Sequence, residues 1–506
     1  MRVVAVGTRS QPQVRPRILI PCLAVALGAL MPFAAPHAAT FLVTSSLASG
    51  AGTLRDTMTQ AQSTAGAPHT ILFALPANSV IGVASPLPTL TSTPLVIDGS
   101  GSPGLVVDGL DTARPFEVGA SSSLTLRDLT VRNGFINNDR GGCIRVTSDT
   151  STLTLDRVTL RGCRALSIET NGVALGGAVS TEGGAFVYRS TFADNLARAS
   201  GSTAGGAMDV RRSLWIENSR FERNEAISTG STGAAGGAVI TGNGTLTVLR
   251  SQFIGNRAAQ TVTANLSFGG AISVRDRTSA TVRQSLFLRN ESGQGAALYA
   301  ALLTLPNTMN ATISNTTFAG NFSGPSLSLS NVRMDLRNNT FWKNSGRSGL
   351  GAHLNLTGAN TTITAVTHNL FAGSGDGSVA CSSSSLPNGL QGTGSNLIAD
   401  ASCSYLDAFS YINGGDLRIR GLRATGSTLH DIPVVDVFAG SPVIDAGNPE
   451  DPAAGTVFVC TAGDARDETR PADGDADGVA VCDIGAHELQ REASLFADGM
   501  ESLLLR

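Results

Sequence analysis

One frame recurs nine times through the middle of this 506-residue chain: apolar, x, apolar, x, x, small, x, apolar, closed in six copies by x, x, Asn. Clear copies are Leu214-x-Ile216-x-x-Ser219-x-Phe221-x-x-Asn224 and Leu246-x-Val248-x-x-Ser251-x-Phe253-x-x-Asn256. The last apolar position falls at Val131, Leu160, Phe192, Phe221, Phe253, Phe287, Phe318, Phe341 and Phe371, in steps of 29, 32, 29, 32, 34, 31, 23 and 30 residues. Repeats of this length are single structural units that bury their apolar faces only by stacking on their neighbours.

Two apolar residues two apart have the period of a strand with one buried face. The phase slips by one residue before the next pair, so the chain must bend there to keep both pairs inward. Stacked copies put like on like: a Phe ladder from Phe192 to Phe371, and a Ser/Thr column at Ser190, Ser219, Ser251, Ser285 and Thr316. Asn195, Asn224, Asn256, Asn290, Asn321 and Asn344 follow the first six of these Phe by three. Asn suits left-handed turns, and stacked amides bond to one another. After this turn the pattern reads as a loop, then a third strand starting at Gly-Gly pairs such as Gly176-Gly177, Gly205-Gly206, Gly236-Gly237 and Gly269-Gly270. The expected fold is all-β, a right-handed parallel β-helix whose roughly eleven coils, about 4.8 Å apart, make a rod on the order of 50 Å long. A β-propeller needs blades of roughly 40 residues or more, and the steps here are shorter.

The 58 glycines and 5% aromatics suit one long narrow core. Charge is uneven: residues 124–374 carry 23 basic and 14 acidic side chains, and residues 375–506 carry 7 and 20. The rod is thus net +9 and the C-terminal part net −13, which leaves open attraction to a polyanion or between the two parts. Arg2, Arg9, Arg15 and Arg17 precede an apolar run from Ile18 to Phe33 and small residues to Ala39, the pattern of a secretory signal over 1–39. Cys22 lies inside it, leaving Cys143, Cys163, Cys381, Cys403, Cys460 and Cys482. An even number in an exported chain implies disulfides, with 15 pairings open and the nearest-neighbour one the simplest.

The remaining landmarks are Thr53-Leu54-Arg55-Asp56, Leu95-Val96-Ile97-Asp98-Gly99, and a spaced C-terminal set. That set runs from Ser441-Pro442-Val443-Ile444-Asp445-Ala446-Gly447 through Asp464-x-Arg466 and Arg470-Pro471 to Cys482-Asp483-Ile484-Gly485-Ala486-His487-Glu488. Together they resemble bacterial secreted β-helix proteins with polymorphic-outer-membrane-protein-like repeats and a C-terminal choice-of-anchor Q domain. Leu495–Glu501 resembles a short C-terminal tag of Gram-negative exported proteins. The resemblance implies an extracellular or cell-surface protein of a Gram-negative bacterium and no defined activity. It divides the chain into a signal (1–39), an N-terminal cap (40–94), the β-helix (95–375), a disulfide-bonded C-terminal region (376–490) and a tail (491–506). The mature chain is expected to be monomeric, without a membrane-spanning segment and without a nucleic-acid partner.

Three chemistries are weighed against structural readings of the same residues. Asp473, Asp475 and Asp477 alternate before Gly478, as at the start of a calcium loop, although Ile484 stands where an EF-hand has its bidentate Glu. The structural reading is a solvated acidic turn. Phe186, Tyr188 and Trp215 fall on outward positions of adjacent coils beside Arg189, a surface suited to an extracellular polysaccharide; the structural reading is that loops cover them. Asp156, Tyr188 and Glu217 share one outward column, with the carboxylates two coil steps or roughly 9.5 Å apart, at the upper edge of the inverting-glycosidase range. The structural reading is that any such column carries charges. His353 and His368 read as lone surface residues. Outward Thr125, Thr154, Thr247, Thr281 and Thr312 would suit an ice surface, but Phe186 and Trp215 interrupt the column. The leading expectation is a structural, adhesive or glycan-binding role; the alternative is a lyase or glycosidase acting on an acidic polysaccharide.

Overall fold

The computed structural model describes residues 37–490 apart from 92, 263–265, 277–278, 304–308, 385–387, 391–392, 407–410, 413–414, 425–430 and 457. The expected signal as far as Pro36 and the segment Leu495–Glu501 lie outside the described residues.

The chain winds into stacked coils whose strands pair in parallel. One coil shows the plan. Its strands are Leu214–Glu217, Arg220–Glu222, Glu225–Ser228, Ala234–Ala235 and Met208–Val210, the last belonging to the preceding Gly-Gly start. The first two carry the apolar pairs of the frame and lie in one long sheet. Between them sits a single residue in left-handed conformation. At this corner Asp128, Arg157, Arg189, Asn218, Arg250, Gln284, Asn315, Asn338 and His368 all have φ between 44° and 57°. That residue makes the phase slip read in the sequence: one step of left-handed backbone turns the strand and returns the next pair to the core.

The registers are those of the frame. Phe221 pairs with Phe192 on one side and Phe253 on the other. The rings from Phe192 to Phe371 are fully buried and stacked in parallel, with centroids 4.5–5.1 Å apart. The Ser column closes the first corner: Ser190 N donates to Ser219 Oγ and Ser219 N to Ser251 Oγ, both at 3.1 Å. Asn closes the second. Asn195, Asn224, Asn256, Asn290 and Asn321 each donate Nδ2 to the Oδ1 of the next Asn at 2.8–3.0 Å. Buried polar groups are thereby satisfied by their own repeats rather than by water.

The segment after Asn is not a loop. It forms Leu196–Ala199, Glu225–Ser228 and Arg257–Gln260, three members of a five-stranded parallel sheet. A four-stranded stack follows, then the Gly-Gly corner and a ten-stranded sheet. Gly205 has φ 62°, and a Cβ on Gly206 would collide with the carbonyl of Gly237 one coil away, so both positions need glycine.

Stacking extends past both expected boundaries of the rod. Thr40–Val43 pairs with His69–Phe73, which pairs with Leu95–Asp98. At the far end Leu370–Phe371 pairs with Leu397–Ile398, and that strand with Tyr411–Ile412. The Thr53-Leu54-Arg55-Asp56 segment opens a helix, Leu54–Ser63, whose N-cap Thr53 accepts from Asp56 N. Its buried Leu54, Met58 and Ala61 join the core of the first coils. Disulfides join Cys143 to Cys163, Cys381 to Cys403 and Cys460 to Cys482, the nearest-neighbour pairing.

The C-terminal region turns back along the rod and docks on the left-handed corner. Asn315 Nδ2 donates to Gly463 O at 2.8 Å, Asn338 Oδ1 accepts from Thr461 N at 2.9 Å, and Gln284 Nε2 donates to Asp464 O at 3.0 Å. Arg250 lies 3.5 Å from Asp467. The attraction left open by the charge division therefore has an intramolecular part, carried more by amides than by ion pairs.

Candidate ligand-binding faces

The period of two sends Phe186 and Tyr188 outward from Gly184–Tyr188, and Trp215 and Glu217 outward from Leu214–Glu217. Parallel pairing sets Phe186 against Trp215 and Tyr188 against Glu217, with Asp156 against Tyr188. Both predicted columns are thus assembled. Phe186 is 41% exposed, and Tyr188 and Trp215 are half-buried. Arg189 stands exposed at the corner beside them.

The carboxylates of this face are engaged. Asp156 Oδ1 accepts from Arg189 Nε and Nη2 at 2.9 and 2.6 Å, and Oδ2 accepts from Arg157 at 3.0 Å. Glu217 Oε1 accepts from Arg250 at 2.7 Å, and Oε2 from Trp215 Nε1 at 3.1 Å. The Trp215 ring is therefore fixed by its own hydrogen bond, as a stacking platform requires. Arg157 also forks onto Asp128 at 2.6 and 2.7 Å, and that pairing holds the Asp128 carboxyl below its ordinary range.

A concavity lies elsewhere, between the ten-stranded sheet and the short strands Thr203–Ala204 and Ala234–Ala235. It is a groove of about 540 Å³ lined by Arg140, Thr203, Asp209, Arg211, Phe268, Arg275 and neighbours. Asp209 is 4% exposed; it accepts from Ser180 Oγ at 3.2 Å, and Arg211 Nε lies 3.6 Å away. Burial pushes its carboxyl above the ordinary range.

The right-handed β-helix region family model matches residues 116–341. The fold is a right-handed parallel β-helix. No curated relative and no solved structure matches the chain.

In the β-helix, the C-terminal motif residues are structural. Arg470, fully buried, donates to Asp483 O and Gly485 O at 2.9 and 2.8 Å and lies 3.4 Å from Glu488. Glu488 in turn accepts from Ala472 N and Asp483 N, both at 2.9 Å. Asp464 holds Arg466 through Nε and Nη2 at 2.9 and 2.8 Å. Burial raises the Glu488 carboxyl and lowers the Arg470 guanidinium from their ordinary values.

Asp445, Asp473 and Asp475 bring three ligand atoms within 4.8 Å of one another. Asp477 is not in that trio; its Oδ1 accepts from Val479 N at 2.8 Å. Asp445 already accepts from Gly474 N, Asp475 N and Val481 N at 3.0, 2.9 and 3.3 Å. The trio offers oxygen donors of the kind calcium takes.

His353 and His368 are not surface residues: both are fully buried. His353 Nδ1 meets Asn344 Nδ2 at 3.2 Å, and its Nε2 faces Ala372 O. His368 Nε2 accepts from Asn448 N at 2.8 Å. Burial lowers each imidazole to about 4, so both are neutral. The outward Thr column holds Thr125, Thr154, Phe186, Trp215, Thr247, Thr281 and Thr312 in register and then ends at Asp335.

Sequence reading missed Asp209, Arg211 and Arg275. Asp209 and Arg275 sit at outward positions of the Gly-Gly strands and Arg211 just past the end of one, where no repeated residue type marks them. A weak signal was available: charged residues following Gly-Gly starts by only a few positions, as in Gly205-Gly206-Ala207-Met208-Asp209.

Proposed function

We propose that this protein is an exported surface rod that binds an extracellular glycan through Phe186, Tyr188 and Trp215, with Arg189 at the edge. The observation that carries the reading is the in-register pair of outward aromatics on adjacent coils, Phe186 and Trp215. Aromatic faces offer large apolar area at low entropic cost, and the Trp215 ring is held in place by Glu217. Coil spacing presents such platforms at a fixed repeat, which suits a polymer lying along the rod. The adhesive role and a choice-of-anchor function for the C-terminal region belong to this same proposal, as does calcium at Asp445, Asp473 and Asp475.

The binding reading stands ahead of catalysis because all four carboxylate oxygens of Asp156 and Glu217 are held by Arg or Trp donors. A general acid or base needs an oxygen free to meet substrate. The test is retention of purified protein on neutral and acidic polysaccharides, with product ends assayed in parallel. Retention lost in Trp215→Ala, without new reducing or unsaturated ends, is expected. New ends that vanish in Glu217→Gln would replace this reading with the lyase or glycosidase one.

A further inference from the structure

The groove on the ten-stranded sheet has a property the aromatic face lacks: buried hydrogen-bond donors with nothing to bond. Arg275 ends the strand Ile272–Arg275. Its Nε is buried and has no hydrogen-bond partner, and no carboxylate among the described residues lies within ion-pair distance of it. Phe268 stacks under the guanidinium at 5.2 Å and also packs against Tyr299 at 5.0 Å. Asp276, next in the chain, accepts from Leu303 N at 2.9 Å through Oδ1. Across the groove, Arg211 Nε and Thr203 Oγ1 are likewise buried without a hydrogen-bond partner, as is Ser273 Oγ two residues before Arg275.

Chance does not favour this grouping. An unpaired buried donor costs roughly 1–3 kcal/mol by general estimates. A protein retains such a set where something completes it. Arg is the side chain suited to planar oxyanions, because its donors form a rigid fork. An aromatic floor beneath the guanidinium fixes the plane of that fork. The groove is also elongated. It runs from Arg140 beside the strand Ile144–Val146 to Arg275, which the pairing places four coil steps away, or roughly 19 Å. A single small anion would not need that length.

We propose that this groove is a second ligand site that takes an acidic saccharide, with the carboxylate or sulfate of one sugar paired to Arg275 and neighbouring hydroxyls meeting Thr203, Arg211 and Asp209. The site does not depend on the aromatic face, because its residues come from different sheets. The buried Asp209 carboxyl, raised by desolvation, adds a group able to share a proton with a sugar hydroxyl. Association carries the mark of ion pairing and weakens with salt.

The experiment is calorimetric titration of the purified protein with three probes of matched length: an oligogalacturonate, a sulfated oligosaccharide and a neutral cello-oligosaccharide. Saturable binding of at least one acidic probe is expected, weakened tenfold or more in Arg275→Gln and by less in Arg211→Gln, and unchanged in Trp215→Ala. Which acidic probe binds identifies carboxylate or sulfate as the recognised group. Should Arg275→Gln not fold, Arg211→Gln and the salt dependence decide. Binding of neither acidic probe, equal binding of the neutral probe, or acidic binding untouched by both Arg substitutions would overturn the site. Loss of binding in Trp215→Ala alone would assign the ligand to the aromatic face, leaving that reading intact and this one refuted.

Discussion

The coils and the C-terminal region are stabilised in opposite ways. In the coils each buried group meets its own kind one coil away: Phe on Phe, Ser on Ser, Asn on Asn. In the region from 419 to 489 the described strands form one antiparallel pair, Ile419–Arg423 with Val434–Val437, isolated bridges join Gly463 to Thr469 and Ala472 to Val481, and single buried charges hold the remaining turns. Loss of one rung leaves a ladder with neighbours on both sides. Loss of Arg470 leaves Glu488 buried with no other cation among the described residues within ion-pair distance, together with two carbonyls that have lost their donor. A repeat architecture distributes its risk, and an irregular one concentrates it.

The contrast is sharpest for Arg470→Ala and Phe253→Ala. Breaking a buried ion pair by removing one partner costs about 3–5 kcal/mol, and truncating a buried Phe a similar amount. The account expects Arg470→Ala to release the C-terminal region to proteolysis while the coils keep their β signal, whereas Phe253→Ala lowers the melting of the coils themselves. A single shared transition in both variants would show the two regions to be one cooperative unit.

Acid should act next, at two buried imidazoles, His353 within the coils and His368 where the C-terminal region covers it. His353 and His368 are neutral in the fold with pKa values of about 4 against 6.5 in the unfolded chain. The unfolded chain therefore takes up protons first as pH falls. Their contribution is complete above about pH 6.5 and is lost as pH drops toward 4, on the order of 3 kcal/mol per histidine. His368→Gln should flatten the fall of Tm over that window by one histidine's share.

Asn256→Ala removes one rung from the amide ladder and leaves Asn224 and Asn290 each short of a partner. A loss of about 1–3 kcal/mol is expected from denaturant titration. The smallest effect should come from Thr461→Val at the docking seam, where the lost hydroxyl bonds Asn315 at 2.9 Å. About 0.5–1.5 kcal/mol is expected, read as faster amide exchange in 455–470 with the coils unchanged.

What the sequence revealed follows from the same contrast. A period of two with a one-residue slip fixes register, so the columns at Phe186/Trp215 and Asp156/Tyr188/Glu217 could be assigned from spacing alone. The strands after each Asn escaped notice because Leu196–Ala199 and Glu225–Ser228 are short and rich in small residues. The burial of His368 could not be read from its neighbours, since the chain that covers it arrives at Asn448. Nor could the groove at Arg275, whose residues share no repeated type. Ladders are written locally; docking and unpaired donors are properties of the folded whole.

The most direct test of the glycan-binding account uses the two tryptophans of the chain. Trp342→Phe leaves Trp215 as the one emitter, and the protein is titrated with whichever neutral or acidic glycan retains it. The account predicts a saturable change in emission with the midpoint of binding, abolished in Phe186→Ala. Emission that stays constant while the glycan binds would place the ligand away from Trp215 and contradict the account.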